Sequence, residues 1–270
     1  MREYGWLDAA KFCFALCVVA LHVYLKDLDA VQRFVFNGAV PFFFLVSGFL
    51  LSEKIWDSGG RYVGDAVFKH VLGKSLKRYL WWMLAYVPLS VLEFLHDDKP
   101  WFFDVAIYIR GFLVIGETPW SWPLWYLHAY VVAVLLIWML LRKGFSFKKV
   151  CLIGCILLLA GCLWNSDYAS FTPLLGKMHR VYSLVFGTTR NGLFQALAYV
   201  SCGMLVGRYG ISKARCAAII PFLLIPAGAA VSCVGTFMEP VAALLFGGVF
   251  FCYSCVYILV TVGISALREG

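Results

Sequence analysis

The sequence predicts an all-α membrane protein, a bundle of about eight spanning helices with one further interfacial or re-entrant helix. Three observations lead to this fold class. Hydrophobic residues make up 62% of the chain, and charged residues make up 14%. Apolar segments of spanning length follow one another with short breaks, and the mean hydropathy is +0.83. Basic residues collect in alternate breaks, as the topology of a membrane protein requires.

Each predicted span has the length that a hydrocarbon core of about 30 Å requires. The spans cover residues 7–25, 33–52, 78–95, 122–141, 149–165, 192–208, 216–234 and 242–264. The segment 101–116 is apolar but contains Asp104 and Arg110, which predicts the interfacial or re-entrant helix. Because the breaks between spans are short, we expect a single domain over residues 1–270.

The distribution of positive charge predicts the orientation of the bundle. If the N-terminus is cytoplasmic, the inner segments hold 16 of the 23 Lys and Arg residues, which is the positive-inside pattern. Both termini are therefore predicted to be cytoplasmic. The net charge of +8 is spread between the spans, which argues against a nucleic-acid partner. No small-residue cleavage site follows the first apolar run, so we expect it to stay as a helix.

The first predicted span carries Asp8, Lys11 and His22. A charge within a span costs about 2.5–3.5 kcal/mol on insertion scales and usually has a function. Lys11 and His22 fall on nearly the same helix face, about 16 Å apart by the rise per residue. That face suits a long, thin, anionic ligand. Asp8 lies one turn before Lys11 and is predicted to neutralise it.

His22 is the predicted general base, because a neutral imidazole can take a proton from a hydroxyl near neutral pH. The alternative is a histidine that bonds to a backbone carbonyl within the bundle. Ser47 follows Pro41 and a bulky run, a pattern that predicts a local break in the second span. Its hydroxyl is expected to bond His22 or a substrate; the alternative is a bond to its own helix.

Two further segments, one basic and one aromatic, are candidates for ligand binding. The basic run 69–78 leads into the third span, where it either contacts lipid headgroups or lets Lys77 or Arg78 bind phosphates. The tryptophan-rich segment 120–127, which includes Trp125, is predicted to be an interface belt or a platform for a sugar.

Arg190 and Asn191 belong to the segment Thr-Thr-Arg-Asn-Gly, just outside the sixth span. A cation at the start of a helix is electrostatically unfavourable, which indicates a ligand. The alternative is an exposed cation in a loop. Within the sixth span, Gly203 and Gly207 predict a close helix approach.

Ten cysteines raise the question of a metal site or a disulfide. They lie in apolar runs without nearby His or Asp in the sequence, so no metal is expected. Buried thiols behave as small hydrophobic groups, and packing is the predicted role. The alternative is a Cys162–Cys233 bridge near the outer surface.

These residues together resemble the acyltransferase family 3, bacterial membrane O-acyltransferases that modify lipopolysaccharide, peptidoglycan and exopolysaccharides. The family's Leu-Asp-x-x-Arg motif, followed by ten residues and a His, is matched at residues 7–22, with Lys11 in the place of the arginine. Its Val-Pro-x-Phe-Phe-x-x-Ser-Gly run is matched at 40–48. Residues 77–79 resemble the basic start of the family's third helix, and residues 124–127 resemble its Leu-Trp-Phe-Leu motif. Residues 190–203 resemble its later block of an arginine followed by an apolar helix with a glycine. A lysine keeps the charge of the family arginine but loses bidentate phosphate recognition.

The resemblance implies a bacterial cytoplasmic-membrane enzyme that takes a cytoplasmic acyl-CoA, expected to be acetyl-CoA, and holds no permanent cofactor. Lys11, with Lys77 or Arg78, would bind the donor phosphates, and His22 would deprotonate a hydroxyl of a glycan or similar acceptor. Asp8 and Ser47 would support these groups. Arg190, Asn191 and Trp125 would hold the acceptor on the outer side.

The family pattern continues past this sequence. Further helices ending in a Ser-x-x-x-Tyr-x-x-His motif would follow Gly270, so we expect a shorter member or a chain truncated at its C-terminus. The Thr-Arg-Asn-Gly block and the length also resemble the membrane half of the vancomycin-resistance serine racemases. The alternative function is therefore a small-solute, serine-like transporter or a sensor domain, and a purely structural membrane module is the third.

Overall fold

The computed structural model describes residues 5–23, 38–56, 62–96, 100–164 and 173–209. Within these ranges the regular elements are helical, and an isolated antiparallel bridge joins Trp56 to Tyr62. The α-helices are α1 (Gly5–Val23), α2 (Ala39–Lys54), α3 (Gly64–His96), α4 (Trp101–Arg110), α5 (Trp125–Arg142), α6 (Phe147–Trp164), α7 (Pro173–Phe186) and α8 (Leu197–Tyr209). A 3-10 turn over Trp122–Leu124 leads into α5, and π-helical turns cover Gly111–Ile115 and Gly192–Ala196.

The all-α prediction is confirmed for the described part of the chain. Helices α1, α2, α5 and α6 coincide within a few residues with predicted spans, and α8 with its preceding π-turn coincides with the sixth. The third span is the C-terminal part of α3, a helix of 33 residues that also contains the basic run 69–78. The predicted spans 216–234 and 242–264 lie outside the described residues.

Among the described helices, one from Trp122 to Arg142 is long and apolar enough to cross a membrane. The number of eight spans therefore stays a prediction. Large apolar side chains are exposed on several other helices, such as Phe12 on α1, Trp81 on α3 and Leu174 on α7. Apolar patches of this kind mark contact surfaces, and the predicted bilayer would cover them.

The segment 101–116 is helical as predicted, with α4 passing directly into the π-turn and ending at Gly116. Helix α7 was not predicted. Lys177 and Arg180 interrupt its apolar residues, and its 14 residues are too few for a span of about 20.

The densest packing lies between α2 and α8. A Cβ placed on Gly48 would overlap the backbone of Val200, and one placed on Gly203 would overlap the backbone of Leu45. Both glycines therefore allow the two helices to approach at backbone distance, as predicted for Gly203. Phe42 of α2 is fully buried and stacks on Phe14 of α1, with ring centroids 4.2 Å apart, so α1 joins the same core.

Candidate functional site

The predicted ion pair on α1 is present. Lys11 Nζ lies 2.5 Å from Asp8 Oδ1, and the Asp8 side chain is 68% exposed. His22 lies in the last turn of α1 and is exposed. The buried face of the helix is formed by other residues, including Leu7 and Phe14. The Lys11–His22 stripe therefore runs along the side of α1 next to its buried face.

The two cations predicted to assist Lys11 lie midway along α3. Lys77 and Arg78 are both exposed. The next residue, Tyr79, is buried, and its hydroxyl donates a hydrogen bond to the Phe112 carbonyl at 2.5 Å. Tyr79 thus fixes this part of α3 against the π-turn after α4, while both cations remain on the surface.

Ser47 connects α2 to α5. Its hydroxyl lies 3.4 Å from the Tyr126 hydroxyl, a partner that neither sequence alternative included. The Tyr126 ring stacks on Phe44 at 4.4 Å, and Phe44 also meets Trp125 edge-on at 6.2 Å. Ser47 therefore helps to hold the start of α5, where Trp125 lies.

Arg190, Trp125 and Glu117 form what we call the outer polar site, on the side that the sequence predicts to be external. The Arg190 guanidinium carbon lies 4.6 Å above the Trp125 ring, and its Nη2 lies 3.9 Å from Glu117 Oε2. Within the described residues, Glu117 Oε2 is buried without a hydrogen-bond partner. Burial raises the pKa of Glu117 above its ordinary value, and the charge of Arg190 opposes that rise.

A rigid loop presents Glu117. Gly116 has φ 90°, and a Cβ there would overlap His128, so the position favours glycine. The Thr118 amide donates to Ser121 Oγ at 2.7 Å. Ser90 of α3 donates to the Pro119 carbonyl at 3.1 Å. The first bond joins two residues within the loop, and the second holds the loop against α3.

A second short loop presents Arg190. Thr189 Oγ1 donates to the Gly161 carbonyl of α6 at 2.9 Å. The side-chain oxygen Oδ1 of Asn191 accepts from the backbone amides of Leu193 and Phe194 at 3.0 and 3.1 Å. The Asn191 amide nitrogen donates to the Tyr182 hydroxyl at 2.9 Å. In this arrangement Asn191 caps the helix start and places Arg190.

A cavity of about 480 Å³ adjoins the outer polar site and shares Glu117 with it. This volume falls in the range of about 300–1,000 Å³ that is usual for small-molecule sites. The residues that line it are Glu93, Ile107, Arg110, Gly111, Ile115, Glu117, Thr118, Pro119, Trp120 and Trp122. Two carboxyl groups, one guanidinium and two indoles can together bind a ligand that carries hydroxyl groups, by hydrogen bonding and by ring stacking.

The cavity is held by contacts distant in sequence. The Trp120 indole nitrogen donates to Glu93 Oε2 at 3.0 Å, and Arg110 Nε donates to the Val185 carbonyl of α7 at 3.2 Å. Neither Glu93 nor Glu117 was predicted from the sequence as a site residue. An acidic residue between the apolar segment 101–116 and the tryptophan run was the signal that could have identified Glu117.

Comparison with known proteins gives one family and several relatives. A family model described as "Acyltransferase domain" matches residues 4–269. Relatives include an "Amino-acid racemase" of Enterococcus faecalis, 29% identical over 229 residues, which are 81% of this chain and 31% of the relative. A "Serine/alanine racemase" of Enterococcus gallinarum is 28% identical over 233 residues, 83% of this chain and 32% of the relative. The chain thus spans about a third of the length of the curated relatives it matches. No solved structure is significantly similar to it.

Proposed function

The chain belongs to the acyltransferase family 3, and from this premise we propose that it is an integral-membrane O-acyltransferase that uses acyl-CoA. The proposed donor is acetyl-CoA, and the proposed acceptor is a hydroxyl of a cell-envelope glycan or a similar molecule. The family match over residues 4–269 is the observation that carries the proposal. The shape and chemistry of the outer polar site support it.

The acceptor is proposed to bind at the outer polar site and in the adjoining cavity. The indoles of Trp120 and Trp122 offer faces on which a sugar ring can stack, and the carboxyl groups of Glu93 and Glu117 can accept from its hydroxyls. Arg190 lies over Trp125 and adds a cation for an anionic or strongly polar substituent. The cavity volume of about 480 Å³ leaves room for one sugar unit.

The donor is proposed to bind along α1. Lys11 is paired with an exposed carboxylate, Asp8, and such pairs contribute only about 0–1 kcal/mol. The ammonium group can therefore exchange Asp8 for a donor phosphate at little cost. Lys77 and Arg78 are exposed cations that would add to phosphate binding.

The chemical step transfers the acyl group directly. His22 takes the proton of the acceptor hydroxyl while the hydroxyl oxygen attacks the thioester carbonyl. The carbon–sulfur bond then breaks, and the CoA thiolate takes a proton from the imidazolium. No acyl-enzyme forms, so no nucleophilic cysteine is required.

The test is the transfer of labelled acetyl from acetyl-CoA to envelope glycan in membrane vesicles. His22→Ala is expected to lower kcat at least about 100-fold, the usual contribution of a general base. His70→Ala is the matched control, because His70 is also exposed and lies on α3. Transfer by His22→Ala at the wild-type rate would remove this histidine from the mechanism.

The names of the relatives favour a second function. They are called amino-acid and serine/alanine racemases, and the outer polar site pairs a guanidinium with a carboxyl group, which suits a zwitterion. In this proposal the domain is a small-solute, serine-like transporter or sensor without acyl transfer. Counterflow of labelled serine in proteoliposomes that contain no acyl-CoA would favour this function. Hydrolysis or transfer of acetyl-CoA by the purified protein would favour the enzyme.

A further inference from the structure

Three cysteine sulfurs converge between α6 and α8. Cys151 and Cys155 lie one turn apart on α6, and Cys202 lies on α8. The three Sγ atoms all lie within 4.8 Å of one another, and those of Cys151 and Cys202 are 2.9 Å apart. Cys151 and Cys202 are buried, and Cys155 is half-buried.

The backbones of the two helices fix this convergence. Gly154 directly precedes Cys155, and Ala198 lies one turn before Cys202; a Cβ placed on Gly154 would lie 2.8 Å from the Ala198 Cα, so the helices are in near backbone contact there. A buried cysteine otherwise behaves as a small hydrophobic group that fills space. Here the three sulfurs instead lie close enough to one another for all of them to bind the same small ion.

The ligand set selects the class of ion. Thiolates are soft donors that prefer Cu(I), Zn(II) and iron–sulfur clusters. In the part of the chain that the structure describes, the group contains only these three sulfurs, with no His or carboxylate. Structural zinc sites take four ligands in a tetrahedron, so three sulfurs leave such a site one ligand short, and Cu(I) is the other single ion that thiolates prefer.

The cluster lies near the N-terminal end of α6, which carries basic residues. Cys151 lies in the second turn of this helix. Lys148 and Lys149 lie in the turn before it, in the segment that the charge distribution predicts to be cytoplasmic. Metal binding would release the thiol protons to that side.

We propose that Cys151, Cys155 and Cys202 form a binding site for a soft monovalent metal ion, with Cu(I) as its representative. Each cysteine that binds loses its S–H proton and forms one metal–sulfur bond, so no electron is transferred. The bound ion links α6 to α8. This site is independent of the proposed acyl transfer, and it is tested by metal binding and not by activity.

The test titrates the purified full chain in detergent with Cu(I), without oxygen and against a chromogenic Cu(I) chelator. The wild type is expected to take up one Cu(I) more per chain than Cys151→Ser or Cys202→Ser. The matched control is Cys13→Ser/Cys17→Ser, which removes two α1 cysteines at the same spacing as Cys151 and Cys155 and is expected to keep the full uptake. Equal uptake by the wild type and Cys202→Ser would overturn the proposal.

A measurement on the wild type alone guards against variants that do not fold. Cu(I) is expected to protect the peptides that contain Cys151, Cys155 and Cys202 from alkylation by N-ethylmaleimide during gradual unfolding. Protection is read by mass spectrometry against the same protein without metal. Equal alkylation with and without Cu(I) would overturn the proposal, as would a Cys151–Cys202 disulfide that persists in protein prepared under reducing conditions.

Discussion

The two charged regions of this protein are built in opposite ways. On α1, Lys11 is neutralised by Asp8 one turn away, so the pair lies within a single helix. At the outer polar site, Arg190 meets Glu117 and Trp125, each more than 60 positions away in the sequence. Hydrogen bonds to α3 and α6 hold the two loops that carry Glu117 and Arg190.

This difference shows how the two regions can respond to a ligand. An exposed i,i+3 pair is weak, so Lys11 can turn to a new anion without disturbing the fold. The Arg190 side chain is 53% exposed, but it stacks on the buried Trp125 indole and approaches Glu117, so two contacts orient its guanidinium before a ligand arrives. We therefore expect the α1 site to tolerate a change of side-chain shape and the outer polar site not to tolerate one.

Among the changes that compare these two regions, the largest effect is expected at Arg190. Arg190→Lys keeps the charge but loses the planar stacking on Trp125, a cation–π contact of about 0.5–2 kcal/mol. We expect the KM for the glycan acceptor to rise about tenfold, since 1.4 kcal/mol corresponds to a factor of ten. The KM for acetyl-CoA is expected to stay unchanged. Both constants are measured in the acetyl-transfer assay.

Arg180→Lys is the control for this prediction, because Arg180 is an exposed arginine of α7 on the same predicted side. It is expected to leave both constants at their wild-type values. If Arg190→Lys left the acceptor KM unchanged, the stacking of Arg190 on Trp125 would have no role in acceptor binding.

A smaller effect is expected at Lys11. Lys11→Ala removes the cation and is expected to raise the KM for acetyl-CoA about fivefold. This loss is smaller than the few kcal/mol that a charge-assisted hydrogen bond can contribute. Lys11→Arg restores the charge and the family residue, so the donor KM is expected to return to the wild-type value or below it. A donor KM that is equal in all three proteins would exclude Lys11 from phosphate binding.

The contrast between the two regions also explains what the sequence could predict. The Asp8–Lys11 pair follows from helical spacing alone, and the structure contains it. The helices α1, α2, α5, α6 and α8 follow from apolar runs bounded by charge. Such features depend on neighbours in the chain, which the sequence displays directly.

The close helix approach at Gly203 was predicted, but the partners of the polar side chains and of the thiols were not. Glu117 gains its role from Arg190, and Ser47 meets Tyr126 across 79 positions. Cys202 approaches Cys151 across 51 positions, so the cysteines of α6 gave no sign of a third sulfur. In each case the tertiary packing of helices and loops brings the partner close, and spacing within one helix contains no information about that packing.

A pH-dependent effect is expected at Glu117. A carboxyl group whose folded-state pKa is raised stabilises the fold at low pH, and that contribution is lost as the pH rises through the raised pKa. Burial raises the pKa of Glu117. As the pH increases from about 4 to about 7, the wild type is therefore expected to lose thermal stability relative to Glu117→Gln, which cannot ionise. The measurement is the Tm of both proteins in detergent at several pH values. A difference in Tm that does not change with pH would contradict a raised pKa of Glu117 in the folded protein.

The smallest effect is expected at Asp8. Asp8→Asn removes the partner of Lys11, and since exposed pairs contribute about 0–1 kcal/mol, the Tm should change by no more than a few degrees. The freed ammonium group should bind phosphate at least as well as before, so the donor KM is expected to fall slightly or stay constant. A donor KM that rose as much as in Lys11→Ala would show that Asp8 positions Lys11 for the donor. In that case the α1 site would be as preorganised as the outer polar site, and the contrast drawn between them would not hold.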